Sequence, residues 1–119
     1  MANTRKAPEA DERDAKYADM LGAMGSETRI RIMRTLLSAH PDGMVVAQII
    51  EELGISASTL SHHLDKLKHE RLVTVERQGT FLRYRANAPA LLELLSFFYS
   101  ECCTRNSVID ARDVVAGAG

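Results

Sequence analysis

Tryptophan is absent from this chain of 119 residues, and aromatic residues make up only 5% of it. That argues against a carbohydrate-binding surface and against a platform for stacking single-stranded bases, which needs exposed rings. Cysteine occurs twice, at Cys102 and Cys103. Two adjacent residues make no disulfide framework, and in a reducing compartment they are expected to stay thiols. No apolar run approaches the length of a membrane span. Met1 to Gly25 lacks the apolar core of a signal peptide. A cytoplasmic protein with no membrane partner is therefore expected. A phosphate-binding Gly loop is also missing, as is any Ser/His/Asp or Glu/His grouping in a plausible cleft, so an enzyme is not expected. Ser61-His62-His63 resembles a nucleophile cluster, but it falls on what reads as an exposed helix.

Charge of one sign is lacking too, since the net charge is −1. Its distribution says more. From Gly54 to Arg85 there are six basic residues (Lys66, Lys68, Arg71, Arg77, Arg83, Arg85) and three acids (Asp65, Glu70, Glu76). That segment is +3 and the remainder −4. A basic segment of this kind suits a phosphate-facing surface, although a solvated charged face looks the same.

The length suits one domain. Residues 1–14 are polar and acid-rich and read as a flexible N-terminal tail. A domain is expected over 15–105, followed by a small, polar, flexible tail over 106–119. Tyr17, Met20, Leu21 and Met24 recur at helical spacing, and Gly25 stops that helix. Ser26 is a natural N-cap, with Glu27 in the first turn where a carboxylate favours the helix dipole. Ile30, Met33, Leu36 and Leu37 form the stripe of a second helix, which ends before the turn residues His40-Pro41-Asp42-Gly43. Val45 to Leu53 reads as a third helix with Val46, Ile49, Ile50 and Leu53 inward, closed by Gly54 in a left-handed conformation. Ser56 or Ser58 starts a fourth, with Leu60, Leu64 and Leu67 buried.

The period then changes to two. Leu72–Arg77 and Phe81–Ala86 are β-prone runs joined by Gln78-Gly79-Thr80, which predicts a hairpin. Pro89, in a first helical turn, starts a last and strongly apolar helix. The fold class is mainly α with a β-hairpin wing: a winged helix-turn-helix.

That arrangement suggests double-stranded operator DNA as a partner. The third helix braces the fourth, and the fourth offers its polar face to the major groove. The candidate contacts are Ser56, Ser58, Thr59, Ser61, His62, His63 and Lys66, with Arg77, Gln78, Gly79, Thr80 and Arg83 on the hairpin. Hydroxyls can bond bases or phosphates, and Lys66 can neutralise a phosphate. Each residue also has a plainer reading. Ser56 can be a cap alone, His63 a structural hydrogen-bonding residue, and Arg83 a surface charge. His62 and His69 could suggest a metal pair, but no third ligand is nearby in sequence.

Several blocks together resemble the ArsR/SmtB family of bacterial repressors. These are Ser26-Glu27-Thr28-Arg29-Ile30-Arg31-Ile32-Met33, Leu53-Gly54-Ile55-Ser56, Ser58 to Leu67, Leu72-Val73 and Arg77 to Tyr84. They span roughly Leu21 to Tyr99 with their neighbours. The resemblance implies a homodimer held by the first and last helices, an operator of pseudo-palindromic form and an inducer that releases it. The residues themselves also ask for dimerisation. Leu91, Leu95 and Phe98, flanked by Tyr99, make the last helix apolar on more than one side, which would leave a large patch exposed on a small monomer. Tyr17, Met20 and Leu21 are the candidate interface residues on the first helix.

The resemblance also directs attention to the cysteines. One arsenic-sensing type carries Cys-Val-Cys where this chain has Val45, Val46 and Ala47. Zinc-sensing members use Asp and His on the last helix, which has neither before Asp110. Another arsenic-sensing type carries adjacent cysteines near the end of that helix, and Cys102-Cys103 is similar to it, without the usual third cysteine. No cofactor is required on this reading. The inducer would be As(III) or Sb(III), thiophilic centres suited to soft thiolates. Two readings stay open beside it: a redox- or sulfide-responsive repressor of the same family, and structural cysteines, with Cys102 continuing the Leu91, Leu95, Phe98 stripe.

Overall fold

The computed structural model of the protein describes residues 8–106, and the side chains of 12–101. The elements run α1 (Pro8–Met24), α2 (Glu27–Ser38), β1 (Met44–Val45), α3 (Val46–Leu53), α4 (Ala57–His69), β2 (Val73–Gln78), β3 (Phe81–Ala86) and α5 (Ala88–Asn106). The chain divides between Asn87 and Ala88 into two compact units, where one domain over 15–105 was expected. The expected tails over 1–7 and 107–119 lie outside the described residues.

In the first unit, α1 begins at Pro8, inside the stretch read from sequence as a tail. The reason is local. Proline suits a first helical position. Tyr17, Met20 and Ala23 are buried. At the α1–α2 junction, Ser26 Oγ accepts the Arg29 backbone N–H at 3.3 Å, the N-cap anticipated from sequence. Ile32, Met33 and Leu36 form the buried face of α2. Ile30, expected inward, is 44% exposed. The buried stripe is turned by Ile32, a position the i, i+3, i+4 count from Ile30 passes over.

α2 packs on α3, α4 and β3. Leu60, Leu64 and Leu67 of α4 are essentially inaccessible to solvent, each worth roughly 1.5–3 kcal/mol of burial. α3 ends at Gly54, left-handed at φ 68°. α4 ends differently. The Arg71 N–H donates to Lys68 O, and the Leu72 N–H to Leu67 O, each at 2.9 Å. These two bonds make a Schellman closure, with Arg71 at the left-handed position (φ 61°) where glycine is usual.

The sheet order is β1-β3-β2, all antiparallel. Gln78 pairs with Phe81, leaving Gly79-Thr80 as a two-residue turn with Gly79 at φ 65° in the first central position, as a tight hairpin requires. β1 pairs Met44 with Tyr84 and Val45 with Arg83. Two residues give no periodic signal, and the sequence reading began a helix there. Behind β1, the Val45 N–H is taken by Gln48 Oε1 at 3.0 Å.

The second unit is α5. Leu94 is buried, Leu91 half-buried, and Leu92, Leu95, Phe98 and Tyr99 are exposed. Among the candidate interface residues of α1, Leu21 is exposed, whereas Tyr17 and Met20 are already buried in the single chain. No described helix is long and apolar enough to cross a membrane.

Candidate nucleic-acid interface

α4 is amphipathic in a strict sense. Its leucines face the core, and Ser58, Thr59, Ser61, His62 and Lys66 are all exposed. Ser56 is its N-cap. Its Oγ accepts the Thr59 N–H at 3.2 Å and donates to Thr59 Oγ1 at 2.9 Å. Ser58 Oγ lies 3.5 Å away. Three hydroxyls therefore gather at a helix start with no acid in its first turn, an end whose dipole favours phosphate. Lys66, Lys68 and His69 occupy the last turn.

His63 does not share that exposed face. It is half-buried, and its Nδ1 lies 3.1 Å from Arg29 Nη1. A guanidinium only donates, so Nδ1 accepts and the imidazole is neutral with its proton on Nε2. Burial lowers the His63 pKa, and the charges of Arg29 and His62 lower it further. The plainer of its two sequence readings, a structural hydrogen-bonding role, fits this geometry.

The hairpin candidates also separate into two groups. Arg77, Gly79 and Thr80 are exposed at the tip, where Arg77 Nη1 donates to Gly79 O at 3.4 Å. Arg83 is engaged at the stem. Its Nε donates to Gln78 Oε1 at 2.8 Å, and its Nη1 reaches the carbonyls of Asp42 and Gly43 at 3.4 Å each. Arg85 Nε donates to Pro41 O at 3.2 Å. Arg85 Nη1 meets Glu76 Oε1 at 2.7 Å, and this hydrogen bond and charge lower the Glu76 pKa. Arg83, expected at DNA, thus braces the wing against the α2–β1 turn, and Gln78, also expected at DNA, accepts its Nε.

A groove of about 460 Å³ runs between α1 and α4, lined by Asp19, Gly22, Arg29, His62, Asp65, Lys66 and His69 among others. Its charges are mixed. Among the described residues, no three His, Cys, Asp or Glu side chains are placed to hold a metal. Cys102 and Cys103 fall on the backbone of α5, but their side chains lie outside the described residues.

Sequence reasoning missed the scaffold roles of Arg29 and Arg85 and the capping role of Arg31, whose Nη2 donates to Leu53 O at 3.3 Å. All three act across long sequence separations, where no local pattern could reveal them.

A helix-turn-helix domain family matches residues 24–76. The chain is 32% identical over 88 residues to the nodulation protein NolR of Rhizobium meliloti, covering 74% of this chain and 70% of that protein. It is 34% identical over 86 residues to a putative arsenical resistance operon repressor, ArsR2, of Halobacterium salinarum, covering 69% and 71%. Among solved structures, it superposes on the homodimeric winged helix-turn-helix DNA-binding domain of a possible ArsR-family transcriptional regulator from Mycobacterium bovis. The TM-score is 0.62 at 22% identity, over 92% of this chain and 100% of that one. That likeness is one of fold, a winged helix-turn-helix.

Proposed function

Because this chain belongs to the ArsR family of helix-turn-helix transcriptional regulators, we propose that it is a homodimeric repressor released from its operator by trivalent arsenic or antimony at Cys102 and Cys103. The observation that carries the DNA half is the exposed polar face of α4 opposite a fully buried leucine stripe. Ser58, Thr59, Ser61, His62 and Lys66 would enter the major groove, and Arg77 and Thr80 would reach the flanking backbone. Dimerisation is supported by Leu92, Leu95, Phe98 and Tyr99, which are exposed on one helix, and by the homodimeric state of the Mycobacterium bovis domain. A two-fold pair would set two recognition helices ~34–36 Å apart, one turn of DNA.

The inducer half rests on chemistry and relationship. Thiolates favour soft centres, and one relative is described as an arsenical resistance operon repressor. Neighbouring residues on a helix project about 100° apart, so chelation by both thiolates asks the end of α5 to unwind. A third sulfur would come from a small thiol or from the second subunit. The second reading is a repressor of the same family that answers to oxidation or sulfide through the same adjacent thiols.

The test is operator release, measured by gel shift, with arsenite, antimonite, zinc and a sulfide donor. Native protein, Cys102→Ser and Cys103→Ser are compared. Release by arsenite that survives both substitutions would sink the cysteine assignment. Release by the sulfide donor alone would select the second reading.

A further inference from the structure

We propose that Arg29 is a positioning residue for DNA recognition, holding the recognition helix α4 at a set angle to the end of α1 through His63. This rests on α4 being the helix that reads DNA. Arg29 is half-buried at the junction of three helices. Its Nε donates to Ala23 O in the last turn of α1. Its backbone N–H donates to the Ser26 cap of α2 at 3.3 Å. Its Nη1 donates to His63 Nδ1, 3.1 Å away on α4. One planar fork therefore joins two helices from a third, which a lysine ammonium, a single point of donation, cannot do with the same geometry.

His63 is the receiving end of that fork. It lies next to His62 in sequence, yet His62 is exposed and His63 turns inward to Arg29. The motif Ser61-His62-His63 thus divides into groups that face DNA and one that faces the scaffold. Base-edge contacts depend on where α4 sits in the groove, whereas phosphate contacts carry no sequence information. Loss of the fork should therefore weaken sequence discrimination more than general affinity.

The experiment uses the full chain and a duplex selected by the native protein from a random-sequence library. Affinity for that duplex is divided by affinity for a scrambled duplex at one fixed salt concentration. The variants are Arg29→Lys, Arg29→Gln, His63→Leu, His63→Asn and the Arg29→Gln/His63→Leu pair, each held well below its melting temperature. Arg29→Gln and His63→Leu should each lower the ratio about tenfold, and the pair no further than either alone, because partners in one network are non-additive. Arg29→Lys should fall with Arg29→Gln. His63→Asn, which keeps an acceptor at the δ position, should stay near native. A ratio unchanged within twofold while melting temperatures fall would mark Arg29 as merely structural and overturn the proposal. So would a native ratio in Arg29→Lys. If the native chain selects no sequence and shows no salt-steep affinity, DNA reading by α4 fails, and the proposal with it.

Discussion

Gly43 lies so close under the backbone oxygen of Tyr84 that a β-carbon at Gly43 would overlap it and the Arg85 side chain. The contact is backbone on one side, so it cannot yield by a rotamer change. It brings the α2–β1 turn against the middle of β3, and Arg83 and Arg85 close over the same turn.

Gly43→Ala should therefore destabilise the fold by at least about 2 kcal/mol, combining overlap with left-handed strain at φ 75°. Gly54→Ala makes the control. Gly54 is also left-handed, at φ 68°, but a β-carbon there meets nothing within 4 Å. It should cost about 1–2 kcal/mol, the conformational penalty alone. Urea unfolding of both variants measures the difference, and equal losses would count against the close approach.

The opposite substitution should help at Arg71. This exposed residue holds φ 61° at the end of α4. Arg71→Gly should raise stability by up to about 1 kcal/mol, since glycine meets no β-carbon penalty in that conformation. The check is a higher urea midpoint at an unchanged slope.

Acid should weaken the Arg29–His63 link. The His63 pKa is lowered from its ordinary 6.5, so the folded chain binds fewer protons at this site than the unfolded chain. Its contribution is fully present above about pH 6.5 and is lost as pH falls through the lower folded value. His63→Asn has no such titration. The stability difference between the two proteins should shift against the native chain between pH 7.5 and 5, as read by urea midpoints across that range.

On the hairpin the structure separates two kinds of arginine. Arg77→Ala and Lys66→Ala should each reduce the slope of log affinity against log salt by about 0.9, one released counterion per lost phosphate contact. Arg83→Ala should leave that slope nearly unchanged while loosening the wing, because its guanidinium is spent on Gln78, Asp42 and Gly43. Salt titrations of the three variants distinguish them.

These distinctions mark where sequence reading stops. Leu60, Leu64 and Leu67, the Ser26 cap, Gly54 and the Gly79 turn were all legible, because each is a local rule about period or backbone conformation. Ile30 was misread for the same reason: its spacing is right, but Ile32 rotates the buried face. β1 was too short to show a period. Exposure within the candidate site was legible only in part. Residue type placed Ser58, His62 and Arg77 correctly on exposed surface, yet it could not say that His63 and Arg83 turn away. Their partners, Arg29 and Asp42, lie 34 and 41 positions distant, and nothing local encodes such pairs.

The arginines that clamp β3 to the Pro41–Gly43 turn have one more consequence. The hairpin stem is fastened to the loop that feeds α3, and α3 in turn braces α4. Tip and recognition helix are then two points on one rigid gauge. A gauge of fixed length cannot follow DNA whose spacing changes. On the proposed reading, in which α4 enters the major groove and Arg77 meets the flanking backbone, inserting a base pair between the two contacts would put one out of reach for every position of the other.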